Sequence, residues 1–143
     1  MIRTRPLTIQ DYDSLVALWG RAGLNYRRQG RDSRESLARQ LEGGKVAILG
    51  AEADGRLIGS VMVSDDGRKG WINRLAVDLR YRRQGLGARL IAAAEEELKG
   101  RGMTVMAALI EVENAPSIDL FAKVGYLFDE GILYFSKGES GEA

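Results

Sequence analysis

At 143 residues, 45% hydrophobic and 29% charged, the chain has the size and composition of one soluble globular domain. Its net charge of +1, from 21 basic and 20 acidic side chains, argues against bulk attraction to nucleic acid or membrane. Cysteine and histidine are both absent, which excludes disulfides, thiolate nucleophiles, imidazole bases and the commonest metal ligands.

Residues 2–5 alternate weakly and are read as a short edge strand ended by Pro6. Residues 1–6 lack the apolar stretch of a signal peptide, and no run approaches the ~20 apolar residues of a membrane span, so a cytoplasmic protein is expected. Thr8 followed by Asp11 has the form of a helix start, and Leu15, Leu18, Trp19 and Ala22 recur at helical spacing, predicting a helix over 8–22. The stretch 23–32 is polar and carries Asn25, Tyr26, Arg27, Arg28 and Arg31; loops of this kind often hold recognition groups. A second short helix is expected from Asp32 or Ser33, burying Leu37, Ala38 and Leu41 and stopping at Gly43-Gly44.

Val46–Ala53 and Arg56–Ser64 read as strands joined by Asp54-Gly55, a pair that favours a tight hairpin turn. A loop over 65–70 then leads to a third strand of that meander, Trp71–Val77. From Leu86 the apolar positions Leu86, Leu90, Ile91, Ala94 and Leu98 form one helical stripe ended by Gly100 and Gly102. Met103–Glu111 reads as a strand, so 71–110 is a βαβ unit with one parallel pairing. Asn114 starts another short helix, with Ile118, Phe121 and Ala122 inward and Gly125 as its C-cap. Tyr126–Phe128 and Ile132–Ser136 read as a closing hairpin, and Lys137–Ala143 as a frayed tail. The expected fold is therefore a single mixed α/β domain over 1–143.

The turn between Val77 and Ala88 carries the strongest chemical signal. A strand that passes through an arginine-rich, glycine-bearing loop into a helix presents unpaired N–H groups and a partial positive charge. Gly85 and Gly87 lack a Cβ, which lets phosphate oxygens approach the backbone. This outline suits a pyrophosphate-bearing cofactor, although in isolation the glycines also read as plain turn residues. RNA binding by the basic run lacks interleaved aromatics and a high overall pI.

Two segments resemble the GNAT family of N-acetyltransferases. Arg82-Arg83-Gln84-Gly85-Leu86-Gly87 matches the family's coenzyme A signature, Arg/Gln-x-x-Gly-x-Gly/Ala, and follows Leu75-Ala76-Val77. Asn114-x-x-Ser117-x-x-x-Phe121-x-Lys123-x-Gly125-Tyr126 is similar to the family's second pattern, Asn-x-x-Ala-x-x-x-Tyr-x-Lys-x-Gly-Phe. The element order resembles the family's over roughly residues 2–137. The resemblance implies a GNAT-like fold: a central mixed, mostly antiparallel sheet with one parallel pairing, flanked by about four helices.

It also implies an acetyl-CoA-dependent N-acetyltransferase, with acetyl-CoA as co-substrate and no metal. Leu75, Ala76 and Val77 would pair with the pantetheine arm. Backbone across Arg83, Gln84, Gly85, Leu86, Gly87 and Ala88 would take the pyrophosphate, with Arg82 and Arg83 adding charge. Asn114 would touch the cofactor, cap the next helix, or both. Phe121 would border the cofactor where many members have a tyrosine that protonates the leaving thiolate, and phenylalanine cannot donate a proton. Without histidine, a carboxylate acting directly or through water is the natural base, and Glu111 is favoured over Glu113. Asn25 and Tyr26 lie where the family borders its acceptor, and the neighbouring arginines suit an acceptor bearing a carboxylate. The acceptor is read as an amine of a small molecule or peptide. No nucleic-acid or membrane partner is expected, and the exposed closing strands leave a homodimer open. The alternative is a non-catalytic acyl-CoA-binding module of the same fold, which Phe121 favours.

Overall fold

The computed structural model describes residues 1–138. Five strands lie side by side in sequence order: β1 (Ile2–Pro6), β2 (Val46–Ala53), β3 (Arg56–Asp65), β4 (Gly70–Val77) and β5 (Met106–Ala107). The first three pairings are antiparallel and β4–β5 is parallel. Four helices flank the sheet: α1 (Tyr12–Ala22), α2 (Arg34–Glu42), α3 (Leu86–Gly100) and α4 (Ala115–Lys123). The expected mixed, mostly antiparallel architecture is thus present.

Period-2 alternation divides the strand side chains between two cores. Ile48, Leu57 and Met62 pack with Leu15, Leu18 and Trp19 of α1 and with Leu37 of α2. Leu49, Val61, Val63 and Ile72 face the other way, onto Leu86, Leu90, Ile91, Ala94 and Leu98 of α3 and Phe121 of α4. The tight turn at Asp54-Gly55 has both residues at positive φ, 52° and 76°, which continues the twist of the flanking strands. Gly59 lets α3 sit close to the sheet, since a Cβ there would lie 2.8 Å from Leu90 Cδ1.

The start of the first helix differs in detail from its sequence pattern. Thr8 Oγ1 accepts from the Gln10 N–H, and Asp11 accepts from the Thr8 N–H, but the turn Ile9–Asp11 is 3-10 and the α-helix begins at Tyr12. Two expectations need larger correction. The strand expected over Met103–Glu111 is reduced to Met106–Ala107, because β4 offers a partner only at Gly70 and Trp71. The closing hairpin expected over Tyr126–Phe128 and Ile132–Ser136 is not formed, so β5 has no neighbour on its far side among the described residues. From the expected frayed tail, residues 139–143 lie outside the described residues.

Leu90 is fully buried between α3 and the sheet. Leu90→Ala should lower unfolding stability by about 3 kcal/mol with an unchanged urea m-value. A loss under about 1 kcal/mol would show that this helix–sheet contact is not close-packed.

Candidate functional site

β4 is not a regular strand. Ser60 pairs with Ala76 and Met62 with Asn73, so β4 has one residue more than β3 across this interval. Arg74, at φ 56°, sits in that bulge. The parallel contact with β5 stops before the bulge, at Trp71 and Ala107, and beyond it the β5-facing edge of β4 has no strand beside it. The Asp78 N–H donates to the Ile58 carbonyl at 2.8 Å, so ladder alternation turns the polar groups of Val77 toward the open edge. Leu75 and Val77 pack toward the α3 core, whereas Ala76 faces α1.

The strand then enters the arginine turn. Asp78 is buried and caps the 3-10 turn Leu79–Tyr81 by accepting from the Arg80 N–H at 3.0 Å. That bond, together with Arg21 at 3.2 Å, holds its carboxyl below the ordinary value. The Arg82 side chain folds inward, donating through Nε to the Val77 carbonyl at 3.2 Å and through Nη2 to the Ala22 carbonyl at 3.0 Å. It braces the end of β4 against the end of α1.

Arg83 and Gly85 both have positive φ, 64° and 79°, and residues 82–85 are exposed. α3 then starts at Leu86 without a side-chain cap, so its first amides are left to an external acceptor. The Leu86 side chain is core, while space beside Gly85 is open. Gly87 has a different reason to be small: a Cβ there would stand 2.5 Å from Leu120 Cδ2. That approach seats α4 against the first turn of α3 and brings the second motif beside the first.

In α4, Asn114 Oδ1 caps the helix by accepting from the Ser117 N–H at 3.2 Å. Phe121 is buried and meets Tyr126 edge-to-face, with centroids 5.0 Å apart. The Tyr126 hydroxyl donates to Glu95 Oε2 at 2.6 Å. Burial, then the Glu95 bond, push its pKa well above the ordinary tyrosine value. Its proton is committed within the fold. Glu111 and Glu113 are both exposed. Glu111 lies beyond the end of β5 and meets another candidate residue only through its carbonyl, which accepts from the Asn114 N–H at 2.9 Å.

The polar loop that follows α1 joins the site at the bulge. Arg74 Nη1 donates to the Asn25 carbonyl at 2.6 Å, and Nη2 to Asp32 Oδ2 at 2.6 Å. Asp32, only 4% exposed, also accepts from the Arg27 N–H at 2.6 Å. The Arg74 guanidinium lies 4.6 Å over the Trp19 ring, and Tyr26 packs against the same indole. Burial lowers the Arg74 pKa and Asp32 opposes that shift. The Arg74–Asp32 pair, 42 positions apart, and the Trp19 ring beneath it form no local pattern in the sequence.

Two surface concavities lie along β1 and its neighbours, and neither includes a residue of the turn. Among the described residues no cluster of acidic groups could hold a metal ion, and no helix is long and apolar enough to cross a membrane.

A family model described as the acetyltransferase (GNAT) family matches residues 13–126. The chain is 28% identical over 127 residues to an acetyltransferase of Sodalis glossinidius, covering 89% of this chain and 88% of that protein. It is similar in structure to the PaiA N-acetyltransferase of Thermoplasma acidophilum in complex with coenzyme A, with TM-score 0.77, 23% identity, and 90% and 91% of the two chains covered. It is also similar to the aminoglycoside N-acetyltransferase AAC(6')-Iy in complex with a bisubstrate analogue, with TM-score 0.79, 20% identity, and 96% and 99% covered.

The buried pair at the bulge makes a direct test of its own importance. Arg74→Gln removes the guanidinium bonded to Asp32 and should lower stability by about 3 kcal/mol. Combined with Asp32→Asn, the loss should be smaller than the sum of the two single losses by at least about 1 kcal/mol. Additive losses in urea unfolding would show that the two side chains do not act as a unit.

Proposed function

The chain belongs to the GNAT acetyltransferase family, and from that premise we propose that it is an acetyl-CoA-dependent N-acetyltransferase acting on a primary amine of a small molecule or peptide. One observation carries the reading. The open edge at the end of β4 runs directly into an exposed turn, with positive φ at Arg83 and Gly85, and then into the uncapped start of α3.

Each part suits one piece of the co-substrate. The Leu75–Val77 edge offers ladder groups to the amides of a pantetheine arm, as to an added strand. The amides of Arg83–Ala88 suit the pyrophosphate, since dipole and free N–H groups act together there. Arg82 contributes by holding the turn's shape. Asn114 and Phe121, carried to the cradle by the Leu120–Gly87 contact, border the thioester end. Asn25 and Tyr26 border the acceptor.

The reaction is direct transfer. The amine nitrogen attacks the acetyl carbonyl carbon, the new C–N bond forms, the C–S bond breaks, and the thiolate leaves. No covalent enzyme intermediate is required, in keeping with the absence of cysteine and histidine. The amine's extra proton passes to Glu111, directly or through water, with Glu113 as the alternative acceptor. Phe121 gives the thiolate no proton, and the Tyr126 hydroxyl is held by Glu95, so water supplies it.

The same two observations favour a second reading, a non-catalytic acyl-CoA-binding module. The two separate when free thiol is followed during incubation with acetyl-CoA and a panel of amines that includes aminoglycosides and peptides. Thiol release with at least one amine is expected. Thermal stabilisation by CoA with no release would favour the binding module, and neither effect would remove the CoA reading altogether.

Gly85→Glu should abolish CoA binding by placing bulk and negative charge in the open space at the turn. Gly85→Ala carries the same cost of positive φ, about 1–2 kcal/mol, without the charge, and should bind CoA far better than Gly85→Glu does. Equal affinities of the two folded variants would refute the site. Glu111→Gln should keep CoA affinity while lowering turnover, most visibly near neutral pH, where a carboxylate is charged and the amine is still protonated. Undiminished turnover across the pH profile would remove Glu111 as the base.

A further inference from the structure

The loop that follows α1 concentrates positive charge beside the open edge of β4. Within residues 25–34 stand Arg27, Arg28, Arg31 and Arg34 against one acid, Asp32, in a chain whose 21 basic and 20 acidic side chains nearly balance. That acid is buried and spent inward, on the Arg74 guanidinium and the Arg27 N–H. The Asp32 N–H donates back to the Arg27 carbonyl at 3.0 Å, and the Tyr12 hydroxyl donates to the Asp32 carbonyl at 2.7 Å, so the loop has a fixed base. Arg34 lies 5.1 Å over the Tyr12 ring and reaches Asp13 at 3.4 Å. Arg28 is exposed at the tip, and no carboxylate among the described residues is bonded to it. The charges lie within reach of one another. Burial lowers the Arg74 pKa first, and the Arg31 and Arg27 charges add to that shift. Burial raises the Tyr12 pKa, and the Arg28 charge opposes it. Like charges gathered in this way repel one another, whereas a merely solvated face intersperses both signs.

We propose that this loop reads the acceptor by charge: Arg28, with Arg27 and Arg31 beside it, takes a carboxylate carried by the amine that is acetylated. The inference rests on the transferase reading, with the loop held at the open edge by the Arg74 bond to the Asn25 carbonyl. A guanidinium meets a carboxylate with a planar pair of donors, and the surplus of cations strengthens that contact. The fixed base of the loop limits the entropy lost when the ligand orders it. The carboxylate faces the loop and the reacting amine faces the edge of β4. The acceptor is therefore an amino acid, or a peptide with an acid close to its amine. A polycation such as an aminoglycoside meets like charge at the same loop and is disfavoured.

Matched acceptors test this, because an amino acid and its own carboxamide differ only in the anion. Thiol release from acetyl-CoA is followed for the common amino acids against their carboxamides, and for glycyl-glutamate amide against glycyl-glutamine amide. The first pairs probe an α-carboxylate and the last a peptide's acid. At least one acidic acceptor should show a KM about tenfold below that of its neutral partner at low salt, with the gap narrowing as salt rises. Arg28→Gln should close the gap through KM rather than kcat, and Arg28→Lys should restore part of it. A purely structural loss would instead affect both members of each pair alike. Neutral partners used equally well by the parent chain overturn the proposal and leave the transferase reading standing, and a gap that survives Arg28→Gln does the same. If no acceptor releases thiol, the transferase reading fails, and the same pairs are titrated calorimetrically into the chain with CoA present. Equal or absent binding there overturns the proposal as well.

Discussion

One extra residue in β4 is the constraint on which the arrangement depends. Arg74 occupies the left-handed region, which costs a non-glycine residue about 1–2 kcal/mol, and the kink persists because its side chain is fastened on three sides. Asp32, the Asn25 carbonyl and the Trp19 ring each hold the guanidinium. Beside that kink the edge of β4 is open, since the contact with β5 stops at Trp71, and the Arg74 side chain ties the polar loop that follows α1 to that opening. Cofactor and acceptor sides of the proposed site thus meet at one local irregularity. A buried ion pair is a weak source of net stability but a strong source of geometry, since breaking it leaves a charge stranded.

Much of the fold was legible because local patterns agreed with tertiary needs. Asp54-Gly55 requires positive φ wherever it sits, and the structure uses both residues that way. The stripe from Leu86 to Leu98 has helical spacing, and all five of its apolar residues are buried. Three features were not legible, and each depends on long-range pairing. The bulge at Arg74 is announced by no Gly or Pro. Met103–Glu111 has strand composition throughout, yet a strand exists only where a partner runs beside it, and β4 supplies two positions. Tyr126–Ser136 likewise reads as a hairpin, but a hairpin needs a sheet edge to rest on. Both motif glycines were read as small for phosphate approach, and the structure adds a separate packing or conformational reason for each. Gly85 is small for conformation and open space, whereas Gly87 is small because Leu120 packs on it.

The absence of a tyrosine at Phe121 reshapes the chemistry around it. In place of a hydroxyl facing outward, the helix presents an aromatic ring that is buried against Tyr126, whose own hydroxyl is drawn away to Glu95 on α3. This is a stable arrangement for packing: an edge-to-face pair with its polar tip satisfied. It also means that the phenol packed on Phe121 is a poor acid, with its proton held by Glu95 and its pKa raised by burial and by that bond. In the proposed transfer, protonation of the leaving thiolate is therefore assigned to water, which so good a leaving group tolerates.

The arginines of the turn make the last point about recognition. From sequence, Arg82 and Arg83 look like charge added to a phosphate cradle. In the fold, Arg82 is spent on the Val77 and Ala22 carbonyls and Arg80 lies beside the buried Asp78 carboxylate. Arg21 and Arg74 are likewise committed to Asp78 and Asp32. A cation whose donors are already taken adds little affinity for an incoming anion, although its presence fixes the backbone around it. The stretch 82–85 is exposed and leads into the uncapped amides that open α3. In the proposed site, backbone amides would read the shape of a phosphate chain as well as its charge.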